Sequence, residues 1–192
     1  GSFGTQSVYL SHALKEGTGA EVLVIGSAAG QEVKAALTFR AARVDAVELV
    51  GYVVHAGKHF YQDFNGGIFN HPNVAAHVAE GRSFLRASNR QYDIIQIFSN
   101  HTSSSIAAGS GAMAPTYLQT TDAYQEYFSH LKEDGLLQIN HHVYPKMVLT
   151  AARAWKESGR EDFRRHVLVF GLKGAQDNLP TLLIRMTPWT ED

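Results

Sequence analysis

The 192-residue sequence contains no cysteine, which excludes a disulfide framework and a thiolate zinc site and leaves the redox compartment unspecified. No apolar run approaches the roughly 20 residues that cross a bilayer, and no charged-then-apolar signal segment opens the chain. Lys and Arg form no block, and 17 of them against 18 Asp and Glu give a formal net charge of -1. Nothing in that balance favours nucleic acid or anionic lipid. What is present suits one soluble domain, since 44% hydrophobic residues supply an ordinary core for this length. Gly1-Ser2 reads as a cleavage remnant, so the natural chain is expected to continue beyond either end.

The remaining chain is organised around residues 21 to 37. Val22 to Ile25 is an apolar run, Gly26 to Gly30 a glycine-bounded turn, and Gln31 to Leu37 an Ala-rich stretch of high helix propensity. That order is strand, tight turn, helix. A nucleotide-type ligand is expected at the turn, where Gly26 and Gly30 let backbone approach it and the first N–H groups of the helix point at it. A plain strand-to-helix connection is the competing reading. Residues 6 to 15 read as a lead-in helix within a segment 1–20. The second strand, Val44 to Leu49, ends at Glu48, about 20 residues past the turn, where dinucleotide and nucleoside folds place an acid on ribose hydroxyls. A carboxylate favouring a helix N-terminus is its alternative.

Residues 50 to 62 read as a helix with His55, His59 and Asp63 at i, i+4 and i+8 on one face, a pattern that reads as a solvated face before a metal site. Turns at Asn65-Gly-Gly67 and His71-Pro-Asn73 lead to a third strand, Val74 to Val78. Glu80 and Gly81 then repeat the acid-plus-glycine arrangement, so Glu80 reads either as an acceptor for an adenine amino group or as a helix-start carboxylate. Tyr92 to Ile97 is the fourth strand. Residues 98–120 show no sustained period and read as an active-site loop. Thr121 to Leu131 is a helix with a Thr N-cap, Asp134-Gly135 a turn, and Leu136 to Ile139 the fifth strand. His141, His142 and Tyr144 follow near the ligand edge; the adjacent histidines face opposite ways, which disfavours a two-His metal site. A helix from Pro145 to about Ser158 precedes two strands, His166 to Phe170 and Thr181 to Ile184. The expected fold is α/β: a Rossmann-like methyltransferase fold over 1–192, its mostly parallel sheet closed by a C-terminal antiparallel hairpin and covered by helices on both faces. The ligand is expected at the carboxyl ends of the strands, beside the first.

With these residues placed, the chain resembles the spermidine/spermine synthase family of S-adenosyl-cofactor transferases from Tyr9 to Thr190. The resemblance is carried by Val22-Leu-Val-Ile-Gly26, Ala46-Val-Glu48, His71-Pro-Asn-Val74, Glu80-Gly-Arg-Ser-Phe-Leu85, Tyr92-Asp-Ile-Ile95 and Leu131-Lys-Glu-Asp-Gly135. Ala107-Ala-Gly109, Tyr117-Leu118 and the segment Thr181 to Thr190 resemble the branch fused to membrane-spanning regions. The likeness implies S-adenosylmethionine or decarboxylated S-adenosylmethionine as cofactor. Gly26, Ser27, Gly30 and Gln31 would lie along its tail, Glu48 on the ribose, and Glu80 and Gly81 at the start of its helix near the adenine, with Leu49 and Phe98 also among the cofactor-binding residues. It also implies a cytoplasmic domain, tethered to the membrane in a longer parent chain and open to homodimerisation.

Three features depart from the family. Ser27, Ala28 and Ala29 stand where its turn is richer in glycine. Its acid after the fourth strand is replaced by Phe98-Ser-Asn100-His101, with no carboxylate from Gln96 to Gln119, and no β-hairpin pattern precedes Glu21. Alkyl transfer from a sulfonium depends on positioning, with a base needed only for a protonated nucleophile. A diamine acceptor would need carboxylates as well as a base, and His101 supplies only the base. The residues therefore suit a small, neutral or differently bound acceptor, with His101 as catalytic base and Asn100, Tyr117 and Tyr144 lining the acceptor site; no metal is expected. A catalytically degenerate nucleoside-binding or structural domain of a larger membrane protein is the alternative.

Overall fold

Leu23 and Ile25 face one side of the first strand and Val22 and Val24 the other, and all four are buried. A strand apolar on both sides belongs inside a sheet covered twice. The computed structural model places it there, describing residues 9–98, 117–140, 145–170 and 181–190. Among these residues the strands are β1 (Glu21–Ile25), β2 (Arg43–Glu48), β3 (Val74–Val78), β4 (Tyr92–Phe98), β5 (Leu131–Asn140), β6 (Val167–Phe170) and β7 (Thr181–Arg185). They form one seven-stranded sheet of order β3-β2-β1-β4-β5-β7-β6. The first five are mutually parallel, and β7 runs antiparallel between β5 and β6. Register pairs Ile25 with both Val47 and Ile97, Glu48 with Val78, and Phe98 with Asn140. The residues just past these ends, including Gly26 and Glu80, therefore gather at one edge of the sheet.

One face is covered by α5 (Gly81–Arg86), α6 (Thr121–Ser129) and α7 (Pro145–Glu157), which bring Leu85, Tyr124, Phe128 and Trp155 onto Leu23, Ile95 and Leu137. The opposite face carries α2 (Gln31–Thr38), whose Val33 and Ala36 pack with Ile68 and Phe69 against Val22, Val24 and Ile94. The lead-in helix α1 (Leu10–Leu14) packs differently, burying the polar Ser11 and His12. His12 Nε2 donates to Gln96 (2.6 Å), and Gln96 donates to Asn140 (2.8 Å). Asn140 also accepts from Gln138 and donates to Thr181 (3.0 Å each). The Ser11 N–H donates to Gln138. A polar stripe across β4, β5 and β7 thus seats α1, its amide and imidazole groups paired with one another while the buried Ser11 hydroxyl is left unbonded.

Several boundaries differ from the sequence reading. The helix expected over 50–62 divides into α3 (Gly51–His59) and α4 (Gln62–Asn65), so Asp63 leaves the face shared by His55 and His59. Asn65 causes the break: its side chain caps back onto the Gly57 carbonyl and the Gly67 N–H. The α6 N-cap is Thr120, accepting from the Ala123 N–H, and the helix ends at Ser129, with Leu131 already paired to Tyr92. The Asp134-Gly135 turn is an excursion within β5, marked by a register shift between Tyr92 and Ile94. His166 precedes β6, its ring Nδ1 on the Arg185 carbonyl. No helix among the described residues is long and apolar enough to cross a membrane.

Candidate functional site

The turn after β1 is forced by close packing. Gly26 has φ +78, and a Cβ there would stand 2.7 Å from the Phe98 carbonyl oxygen; Gly30 has φ +93, and its Cβ would collide with Ile68. Only glycine meets both demands at either place. Ala28 adopts φ +41, the left-handed region that a Cβ disfavours by about 1 kcal/mol. The turn's N–H groups are mostly spent internally: Gly26 and Ser27 donate to the Val47 carbonyl, and Gly30 donates to Ser27. These are turn amides; the first N–H groups of α2 belong to Gln31 and its successors.

Glu48 sits over this turn. One carboxylate oxygen accepts from the Ala28 N–H and the other from the Val50 N–H, each at 3.0 Å, leaving about two lone-pair positions open. Leu49 is 58% exposed beside it. One strand further out, Glu80 caps α5, accepting from the Arg82 and Ser83 N–H groups and from the Ser83 hydroxyl. Its helix-start role is thus formed in the free chain. Gly81 fits because a Cβ would lie 2.5 Å from Ile25 Cγ2, locking α5 to the end of β1. Gly26, Ser27, Gly30, Glu48, Glu80, Gly81 and Phe98 therefore share the carboxyl edge. Gln31 opens α2 there, its side chain hydrogen-bonded to Tyr9.

Tyr117 is held by a cluster that sequence reasoning missed. Arg82, 2% exposed, stacks over the Tyr117 ring at 4.1 Å and donates two 2.8 Å hydrogen bonds to Glu126. Arg86 adds a bond from its Nε to Glu126 and another from a terminal nitrogen to the Tyr117 hydroxyl. Burial works against ionisation of Glu126, but hydrogen bonds from both arginines outweigh it and hold the carboxyl below its ordinary value. Only the sequence spacing Arg82, Arg86 on one helical face hinted at a shared acid. Asn100, His101, His141, His142 and Tyr144, with most of the expected loop, lie outside the described residues.

Beside the turn an apolar cleft of about 360 Å³ runs between Ala28, Ala29, Tyr52, Val53, Tyr61 and Phe64. An open polar basin of about 570 Å³ lies where Glu21 begins β1, at the opposite edge; there Lys132 and Arg90 are matched by Glu21, Asp93 and Asp45. Among the described residues no group of three or more His, Asp or Glu side chains could hold a metal ion. The site's chemistry is that of carboxylates around a tight turn, suited to hydroxyl and amine donors.

Known structures share this frame. A spermidine synthase in complex with the transition-state analogue AdoDATO superposes with TM-score 0.62 at 17% identity, over 95% of this chain and 60% of that one. Spermidine synthase from Thermotoga maritima gives 0.63 at 18%, over 94% and 61%. Ribosomal protein L11 methylase from Lactobacillus delbrueckii subsp. bulgaricus gives 0.60 at 15%, over 94% and 77%. At such identities the likeness establishes the fold, and the chain spans about 60% of the length of those spermidine synthases. No curated protein matches the sequence. Residues 7–164, however, match the spermine/spermidine synthase domain, and with that domain over most of its length on a methyltransferase-type sheet, the chain belongs to the spermine/spermidine synthase family.

Proposed function

We propose that this domain is an S-adenosyl-cofactor-dependent transferase of the spermidine synthase type, moving a methyl or aminopropyl group from a sulfonium donor to a small acceptor. The observation that carries the reading is Glu48, whose carboxylate lies over the Gly26–Gly30 turn at the end of β2 with lone pairs to spare for ribose hydroxyls. The residues fit a nucleoside. Leu49 offers an exposed apolar contact beside Glu48, and Glu80 with the start of α5 is assigned the adenine amino group. Decarboxylated S-adenosylmethionine or S-adenosylmethionine, when bound, supplies the electrophilic carbon. The chain's part is to hold that carbon in line with a nucleophile and exclude water. His101 is assigned the base, and Asn100, Tyr117 and Tyr144 the acceptor; the Arg82 stack that fixes Tyr117 supports a positioning role for that ring. We place the domain in the cytoplasm, joined to membrane-spanning regions and able to dimerise.

Ala28 at φ +41 favours a second reading, a domain that binds a nucleoside without turnover or serves structurally, because it adds a Cβ beside the cleft at a left-handed position that suits glycine. Parallel calorimetric titrations with methylthioadenosine, S-adenosylmethionine and its decarboxylated form test both. Micromolar binding abolished by Glu48→Ala supports a nucleoside site, and turnover lost in His101→Ala with binding intact supports the transferase. No heat with any ligand rejects the transferase, and unchanged turnover in the His101 variant removes that residue from the chemistry.

A further inference from the structure

Exposed rings gather on α3 and α4. Among the described residues Tyr52 is 73% exposed, Phe60 67%, Tyr61 59% and Phe64 86%. They share one face: Tyr52, Tyr61 and Phe64 wall the apolar cleft together with Val53 and Ala56. His55, three residues past Tyr52 and so its neighbour on α3, stands edge to face with Phe60 at 5.6 Å and lies 4.5 Å from the His59 ring. The core beneath is closed without these rings, by Val54, Ile68 and Phe69.

Size and charge say what fits this face. At those fractions the four rings present roughly 600 Å². With Val50, Val53 and the two imidazoles the face approaches roughly 800 Å², more than an ordinary monomer leaves in one apolar patch and about what each partner gives to a stable dimer. Between residues 50 and 64 the only charged side chains are Lys58 and Asp63, and neither is ion-paired among the described residues. A lipid surface or a nucleic acid calls for a cationic rim, whereas this face is neutral overall. Opposite charges on either side of Phe60 suit a self-complementary contact. A two-fold axis beside Phe60 sets Lys58 of each copy against Asp63 of the other and lays the rings of each over the cleft of the other. The cleft ends at Ala28 and Ala29, so such a contact reaches the turn that Glu48 overlies.

We propose that the α3–α4 face is where a second copy of this chain docks, as a two-fold dimer with the rings at its centre and Lys58–Asp63 pairs at its rim. The inference rests on the reading above only for the ability to dimerise, not for the chemistry. Sedimentation velocity of the 192-residue chain from about 1 to 100 µM tests it. The wild type is expected to reach twice the monomer mass, and Phe64→Asp to weaken the dimer at least about tenfold. Leu149→Asp, equally exposed but on α7 across the sheet, should behave as the wild type. Lys58→Glu and Asp63→Lys each set like charges across the axis and should weaken the dimer about threefold, and combining them should restore it. An unchanged melting temperature shows each variant folded. A wild type monomeric at about 100 µM overturns the inference and the self-association, leaving the face to another partner. A dimer untouched by Phe64→Asp, or charge variants whose combination restores nothing, overturns the placement alone. Neither result bears on nucleoside binding, which calorimetry reads separately.

Discussion

Glu32 and His12 are buried acid and base with opposite linkage to folding, and replacing one exposes the other. Burial raises the Glu32 pKa to about 7 from 4.5; it lowers that of His12 to about 4 from 6.5, against a smaller opposing effect of the Gln96 hydrogen bond. For Glu32 the folded state holds a proton the unfolded chain has lost, so its contribution is fully present below pH 4.5 and disappears as pH rises through 7. For His12 the unfolded chain takes up a proton the folded state refuses, so stability is present above pH 6.5 and lost as pH falls to 4. Each displacement of about 2.5 pH units corresponds to about 3 kcal/mol. Between pH 4.5 and 6.5 the two slopes cancel, and the pair leaves wild-type stability nearly flat. Glu32→Gln removes one slope, so its stability should rise by about 1.4 kcal/mol per pH unit across that window. His12→Gln should show the reverse, a fall continuing to pH 7. Urea unfolding at pH 4.5, 5.5, 6.5 and 7.5, read as differences from wild type, cancels carboxylates such as Asp45 and Asp134 that titrate low in both proteins. A Glu32→Gln difference curve flat within about 0.5 kcal/mol would refute the assignment of a neutral carboxyl.

The turn and the Tyr117 cluster give further tests. Ala28→Gly relieves a left-handed conformation and should stabilise the fold by about 1 kcal/mol, seen as a higher melting temperature, with methylthioadenosine affinity equal or greater. Gly26→Ala adds both φ strain and a 2.7 Å contact with the Phe98 carbonyl, and should cost about 2 kcal/mol or more in chemical unfolding. Glu126→Gln leaves the buried Arg82 guanidinium half-matched and should cost about 3 kcal/mol; a loss below about 1 kcal/mol would mean that the Tyr117 stack and Thr120 hold Arg82 unaided.

Much of the fold was legible because strand ends and turns are written locally. Val22 to Ile25 is apolar on both faces, Gly26 and Gly30 punctuate it, and Pro145 and Gly159 bound α7. The acids Glu48 and Glu80 were legible for the same reason, one closing a strand and the other just past one. What escaped were features made by partners distant in sequence. The division of α3 from α4 depends on Asn65 folding back to Gly57. The Arg82–Glu126 pair joins residues 44 positions apart. The polar stripe under α1 reads in sequence as scattered Gln and Asn in apolar strands, a pattern that acquires meaning only when β4, β5 and β7 lie side by side. Glu32 was hidden by its company, since an acid in the first turn of a helix ordinarily needs no explanation beyond the dipole.

The turn bears on which donor tail the proposed site would take. A glycine-rich turn can leave several amides to an anion, but here Ala28 gives its N–H to Glu48 and the neighbouring amides close onto Val47 and Ser27. Those bonds fix the position of Glu48 relative to the turn, so a ribose would meet a carboxylate already oriented and its binding would cost little reorganisation. The same bonds take up the amides of Gly26, Ser27, Ala28 and Gly30 and leave a carboxylate to the N–H groups that open α2. An S-adenosylmethionine tail would bring an anionic end to this corner, whereas a decarboxylated tail brings only a cation. With the amides of Gly26, Ser27, Ala28 and Gly30 taken up, the expected order of affinity is decarboxylated S-adenosylmethionine above S-adenosylmethionine. Competition against bound methylthioadenosine at pH 7.5 measures it, and a preference for the carboxylated ligand would show that the amides opening α2, or a group outside the described residues, govern the tail.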